Sequence, residues 1–408
     1  MSDMVARPIF VFGIARSGTN LLARVLDAHP AIEIALDPFM PVFKALRNAI
    51  IAHCTSRGLA DEFDPACAFQ DGYQTAHGYE LLDLVLDGSL AAPTDAIDLG
   101  VLRAAVAARA AIEAPDIAAR AEQLVGETCY GLVASALAIV LAARATAATR
   151  WVGIKEVWVL DFMPALARAF PTARFVAIER DPRAVIASLT TLAQSDPSQH
   201  AHAISYLRHW RKHVILARRF AADPTLADRF HLVRYEDLAA YPTLSARRLA
   251  DFFDIDFDPR MLAPTEDRNG SAWRANSSYD SAVDGISPAS IERWRDSLPS
   301  AALRTVEFFC WPEMALVNYP LSTRAAPALS REIAEYVARA DAEPGSWRSD
   351  SGDPAEEMAF ESRRRELLSR AQESVDVALV RRCFLFESVY ADLLAGSAAN
   401  FDPIARLR

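Results

Sequence analysis

Cysteine is scarce: 408 residues carry five, Cys54, Cys67, Cys129, Cys310 and Cys383, an odd number with no CxxC spacing. That usage argues against a structural zinc cluster and against a complete disulfide framework, and it fits a reducing compartment, so the expected location is cytoplasmic. Basic excess is missing as well. Forty-three Lys and Arg face 53 Asp and Glu, for a formal net charge of −10. A general nucleic-acid binder would show a basic face, so none is expected here, whereas a pocket for a small anion needs only a few local cations. No apolar run reaches the roughly 20 residues of a membrane span. The nearest, Gly131 to Thr149, is interrupted by Arg144 and reads as a buried helix. Nothing before Pro8 combines a charged start, an apolar stretch and a small-residue cleavage site, so the folded domain is expected to begin almost at once. There is no internal repeat.

What remains is ordinary globular material, 52% hydrophobic and 24% charged, long enough for a large domain with additions or for two domains. Strand-like runs rich in β-branched and aromatic residues stand at Ile9–Phe12, Trp151–Ile154, Arg174–Ile178 and His231–Val233, each near a helical pattern. Strands alternating with helices predict an α/β fold, a mostly parallel sheet flanked by helices, with ligands at the carboxyl ends of its strands. The Ala-, Leu-, Asp- and Arg-rich stretch at about 42–150 reads as a large helical insertion. A Pro-, Gly-, Ser- and Asp-rich segment at 343–354 reads as a linker or long loop. Beyond it, Leu367, Leu368, Ala371, Val375 and Ala378 recur at helical spacing, predicting one long helix or two shorter ones over 355–394. The expected organisation is a main domain at 1–325 and a helical C-terminal extension at 326–408, the latter a candidate surface for homo-oligomers.

The first strand runs into Phe12-Gly13-Ile14-Ala15-Arg16-Ser17-Gly18-Thr19-Asn20-Leu21-Leu22. A strand, a tight glycine-containing turn and a helix aim unpaired backbone N–H groups and the positive end of the helix dipole at one point, which binds an anion. Arg16 adds fixed charge, and Ser17, Thr19 and Asn20 add donors. Gly13 and Gly18 have the separation of the nucleotide-triphosphate loop GxxxxGK[ST], but Thr19 and Asn20 stand where its lysine and magnesium-binding hydroxyl belong. Kinase or ATPase chemistry therefore lacks two working parts, although an atypical kinase and a non-catalytic nucleotide-binding protein remain as alternatives.

The second stretch is Phe175-Val176-Ala177-Ile178-Glu179-Arg180-Asp181-Pro182-Arg183, continuing to Ser188. Asp181 is placed to cap a helix that starts at Pro182, which leaves Arg180 at a strand end and Ser188 two turns into the helix.

Together the two stretches resemble the PAPS (3′-phosphoadenosine 5′-phosphosulfate) dependent sulfotransferase family, through its RSGT-like loop and its R-x-P-x(5)-S pattern. Further support comes from Tyr235-Glu236-Asp237-Leu238 and from Ser277-Ser278-Tyr279 followed by Ile291-Glu292-Arg293-Trp294, the latter resembling a nucleotide-covering loop and its trailing helix. The resemblance spans about residues 7–320 and matches the insertion poorly. It implies a P-loop-like sulfotransferase fold and transfer of a sulfuryl group from PAPS, leaving PAP, to a hydroxyl of a small-molecule, glycan or lipid acceptor, with no metal. It also implies that Arg16, Ser17, Gly18, Thr19 and Asn20 hold the phosphosulfate, that Arg180 and Ser188 hold the 3′-phosphate, and that Ser277 and Ser278 contribute to the cofactor site. Asn20 departs from the Thr or Ser that many members carry.

Such a transfer needs in-line positioning, charge neutralisation on the leaving oxygen and a base for the attacking hydroxyl. Asp37, before Pro38, is the favoured base, because carbohydrate-acting branches carry an acidic residue before proline in a similar place. Glu33 and His29 are its rivals. Lys155, after the second strand-like run, is expected at the ligand edge, bridging donor and acceptor.

Overall fold

The computed structural model describes residues 6–53, 78–195, 203–263, 286–323, 328–342, 354–369 and 375–398. Its strands are β1 (Arg7–Gly13), β2 (Ile32–Leu36), β3 (Trp151–Val157), β4 (Arg174–Glu179) and β5 (Phe230–Arg234). Its helices are α1 (Thr19–Asp27), α2 (Met40–His53), α3 (Gly78–Asp87), α4 (Leu99–Glu113), α5 (Pro115–Ala118), α6 (Cys129–Arg144), α7 (Met163–Ala169), α8 (Pro182–Ser195), α9 (Ala203–Ala221), α10 (Tyr235–Ala240), α11 (Pro242–Phe252), α12 (Trp294–Ser297), α13 (Ser300–Leu316), α14 (Arg331–Ala342), α15 (Pro354–Ser369), α16 (Val377–Phe384) and α17 (Glu387–Ala398).

The chain forms two compact units, one of residues 1–69, 83–180 and 216–291, the other of 70–82, 181–215 and 292–408. This division differs from the sequence expectation of a boundary near 325. Helix α13 packs against α14 and α8, which keeps residues from 292 onward with the C-terminal helices.

In the first unit all five strands are parallel, in the order β2-β3-β1-β4-β5. Both faces of the central strand are buried, as parallel sheets require. Ile9 and Val11 pack under α1, α10 and α11 with Leu22, Val25, Leu26, Val176 and Leu249. The alternate residues Phe10 and Phe12 stack on Phe175 with ring centroids 5.7 and 6.3 Å apart. Burying Leu22, Val25 and Leu26 contributes about 2 kcal/mol each and docks α1 along the sheet.

Strand β2 was not expected. Five residues with Glu33 second among them carry neither a turn signal nor a long β-branched run, and pairing with β3 alone, Ile32 with Trp151 through Leu36 with Lys155, makes this an edge strand. The stretch at 42–150 takes in most of α2 together with α3, α4, α5 and α6, and adds no strand to the sheet among the described residues. Helix α6 ends at Arg144, whose guanidinium pairs with Asp116 and donates to the Ile34 carbonyl at 2.6 Å. No described helix is long and apolar enough to cross a membrane.

In the second unit Asp181 caps α8 by accepting the Arg183 N–H at 2.8 Å, as its place before Pro182 predicts. Buried ion pairs join Arg208 to Glu357, Arg211 to Glu361, and Arg364 to Glu313. Glu313 is pushed up from the usual carboxylate range by its burial, against the pull of Arg364. The single or double C-terminal helix expected over 355–394 is three helices, α15 to α17. Leu385, with φ 65°, breaks the run after α16. Leu367 and Leu368 are buried with Val380, Phe384 and Leu393 inside this unit. Most of the expected linker lies outside the described residues; Pro354 is the first residue of α15.

Candidate active site

Every strand of the first unit ends at the same edge, so the residues that follow Gly13, Leu36, Val157, Glu179 and Arg234 share it. After β1 the backbone turns left-handed at Arg16 (φ 71°) and again at Gly18 (φ 96°) before α1 begins at Thr19. A Cβ at Gly18 would stand 2.3 Å from the Tyr235 ring, and one at Gly13 2.3 Å from the Thr19 methyl, so the loop tolerates neither. Gly18 offers no side-chain cap to α1, and the first helical bond runs from the Leu22 N–H to the Gly18 carbonyl at 3.0 Å. The helix therefore starts with its leading amides and dipole presented at the edge, the arrangement that holds an anion.

The side chains of this loop do different work. Ser17, fully buried, donates its hydroxyl to the Ile14 carbonyl at 2.7 Å, and its N–H bonds the same oxygen at 3.2 Å. The expected ligand donor is thus committed to holding the turn, since a hydroxyl has one proton to give. Thr19 is buried and Asn20 exposed.

Arg180, directly after β4, is buried and donates to the Arg16 carbonyl at 3.0 Å and to the Ser290 carbonyl at 3.0 Å. Its guanidinium lies 4.1 Å over the Tyr235 ring, and the Tyr235 hydroxyl bonds Ser290. The two arginines singled out from separate motifs thus meet at the loop. Tyr235, which in the sequence served only to support the family resemblance, is the plate against which both Gly18 and Arg180 are set. Ser188 is buried in α8, in the second unit. Ser277 and Ser278 lie outside the described residues.

Around the corner of β2, Asp37 sits left-handed (φ 54°) with its N–H on the Lys155 carbonyl at 2.9 Å. Its Oδ2 pairs with the buried Lys155 ammonium, its backbone carbonyl accepts from Arg109 of α4 at 3.1 Å, and its Oδ1 has no partner among the described residues. That leaves one carboxylate oxygen committed and one open.

Its two rivals are placed differently. Glu33 is buried near the amino end of β2, short of the carboxyl edge. His29 precedes β2, at the opposite end of the strand. Its Nδ1 accepts the Ala31 N–H at 3.0 Å and its Nε2 contacts the Asp256 carbonyl at 2.9 Å, so both ring nitrogens are engaged by the backbone.

Two buried carboxyls escaped the sequence reading. Glu156 follows Lys155, and Glu179 ends β4 opposite Arg234. Burial pushes Glu179 up to about 7, with Arg234 opposing and Glu236 reinforcing, and its Oε2 has no partner. An acid raised from 4.5 to about 7 on folding favours the folded state below pH 4.5, and that contribution is lost as the pH rises through 7. Glu179→Gln is therefore expected to stabilise the protein at pH 8 by up to the order of 3 kcal/mol relative to wild type, and hardly at all at pH 4.5. Thermal melts of both proteins at the two pH values check this; a difference that does not vary with pH contradicts it.

The sulfotransferase family's model matches residues 8–259. The chain belongs to the sulfotransferase family. It is 28% identical over 213 residues to carbohydrate sulfotransferase 3 of Tetronarce californica, 48% of this chain and 47% of the relative. It is 24% identical over 339 residues to carbohydrate sulfotransferase 6 of Homo sapiens, 76% of this chain and 80% of that one. The chain spans about half the length, or less, of the first two curated relatives it matches. Among solved structures, the sulfotransferase domain of a Synechococcus PCC 7002 olefin synthase aligns at a TM-score of 0.44 and 18% identity, over 79% of this chain and 98% of that domain. The sulfotransferase domain of the curacin biosynthetic pathway aligns at 0.43 and 14%, over 78% and 99%. Within this family the loop after β1 and the arginine after β4 are the two places where sequence and geometry coincide.

Proposed function

We propose that this sulfotransferase moves a sulfuryl group from PAPS to a hydroxyl of its acceptor, with a sugar hydroxyl the first class to try, since the curated relatives are named carbohydrate sulfotransferases. The observation that carries the reading is the bond from Arg180 to the Arg16 carbonyl at an uncapped helix start. It sets two anion determinants beside one loop, as a cofactor with phosphate at both ends of its ribose requires. The loop's shape fits such a group: Gly13 and Gly18 leave no room for a Cβ, and the start of α1 carries no side-chain cap. PAPS brings an activated sulfur already bonded to a good leaving phosphate.

The amides at the start of α1, together with Arg16, neutralise charge growing on the 5′-phosphate oxygen as the S–O bond breaks. Arg180 takes the 3′-phosphate. Asp37 would accept the acceptor hydroxyl's proton through Oδ1 while the hydroxyl oxygen bonds to sulfur, the electron pair of the broken S–O bond staying with the 5′-phosphate oxygen of PAP. Lys155 holds Oδ2 and thereby the direction of Oδ1. We also read the three described cysteines, Cys129, Cys310 and Cys383, all free and buried, as consistent with a reducing compartment.

Incubation with sulfur-labelled PAPS and a panel of sugar, phenol and lipid alcohols tests the reading. Label transferred to an acceptor, with PAP released in equal amount, is the expected result. No transfer to any of them, together with magnesium-dependent ATP turnover, would overturn it.

A further inference from the structure

The Asp37 turn is gripped from both faces of the sheet. Lys155 and Glu156 are neighbours on β3, so their side chains leave on opposite sides. Lys155 reaches the Asp37 carboxylate, whereas Glu156 Oε1 accepts the N–H of Phe39, two residues on, at 2.5 Å. Asp37 is left-handed, a conformation a non-glycine residue keeps only when its surroundings impose it. Three backbone bonds do so, at the Asp37 N–H, the Asp37 carbonyl and the Phe39 N–H, and Glu156 supplies the one that lies past Pro38.

We propose that Glu156 is a positioning residue for the base: its carboxyl holds the Phe39 amide and so fixes Asp37 at the ligand edge, a task that needs an acceptor and no charge. The proposal rests on the reading of Asp37 as the base. Glu156 is only 1% exposed and its Oε2 has no partner, an environment in which an ionised carboxylate would be stranded. The charged groups that face it are Asp37 from the end of β2, Lys155 from β3 and Arg109 from α4. Burial first, and then the negative charge of Asp37, push Glu156 well above the usual carboxylate range against the opposing pull of the Phe39 N–H, Lys155 and Arg109. A neutral acid beside Asp37 leaves the base its charge while still giving the turn an oxygen to bond.

The experiment compares Glu156→Gln with Glu156→Leu in the full chain, reading kcat, the KM for PAPS and the pH profile of kcat. Glutamine keeps an acceptor oxygen at the same place without charge. E156Q should retain kcat within about threefold and leave the acid limb of the profile where it stands in wild type. E156L leaves the Phe39 amide without an acceptor and should lose kcat by about 100-fold with the KM for PAPS unchanged, the scale set by misplacing a catalytic group. E156L turning over like wild type, or E156Q failing as badly as E156L, overturns the proposal. Should E156L not fold, E156Q still decides: an acid limb shifted to lower pH means that an ionised Glu156 had been repelling the Asp37 charge, which also overturns it. Asp37→Asn separates the two layers. An active D37N removes the base reading and this proposal with it, whereas an inactive D37N with a normal E156L removes this proposal alone.

Discussion

Arg180→Ala is expected to abolish the thermal protection that PAP gives the folded protein. The guanidinium is buried, stacked on Tyr235 and tied to the carbonyls of Arg16 and Ser290, so it is held in one orientation before any ligand arrives. Charge-assisted hydrogen bonds of this kind contribute about 1.5–3 kcal/mol each, and losing two of them to a phosphate weakens binding by roughly two to four orders of magnitude. At a PAP concentration 100 times the wild-type Kd, the ligand stabilises by about 2.7 kcal/mol, and a 100-fold weaker site would retain only about 0.4 of it. The substitution also frees the Arg16 carbonyl, loosening the loop that takes the other phosphate. Thermal shift with and without PAP, for R180A and for Arg16→Ala, reads this directly. Wild-type protection in both variants would contradict the shared nucleotide site.

Asp37→Asn is expected to cut kcat by about 10²–10⁴-fold at saturating PAPS and acceptor, the range that general-base catalysis contributes. Asparagine keeps the size and the turn but offers no site for the proton. The variant should still be protected by PAP, because Asp37 has no part in the loop after β1. It should also melt lower than wild type, since removing one partner of a buried pair strands the other, here the ammonium of Lys155, at a cost of about 3–5 kcal/mol. Loss of turnover with PAP protection intact is therefore the signature of a missing base. A D37N enzyme that keeps a tenth or more of wild-type kcat would assign the proton to another group.

The parts of this site legible in the sequence are those whose meaning is local. The turn from Gly13 to Gly18 declares itself because a strand, two glycines and a helix start stand within a dozen residues, and Arg180 because Asp181 and Pro182 mark the helix behind it. What stayed hidden depends on partners far away in the chain. Glu156 is an unremarkable strand residue until Phe39 arrives from 117 positions earlier. Arg109 reads as one basic residue in an alanine-rich helix until its bond to Asp37, 72 positions away, gives it a place. Strand β2 was missed because it is short, carries a charged residue and pairs only with β3. Ser17 shows the opposite limit: the motif names a hydroxyl, but only coordinates show that its proton is given to Ile14.

The open flank of β2 is not bare. Arg144 bonds the Ile34 carbonyl within the strand and Arg109 the Asp37 carbonyl just past its end, so two guanidiniums from the helical insertion hold backbone oxygens of this edge. Unpaired edge oxygens are where another chain can add itself as a further strand. A foreign insertion transplanted here to alter acceptor choice would need to carry both guanidiniums along, or leave the Ile34 and Asp37 carbonyls without these donors.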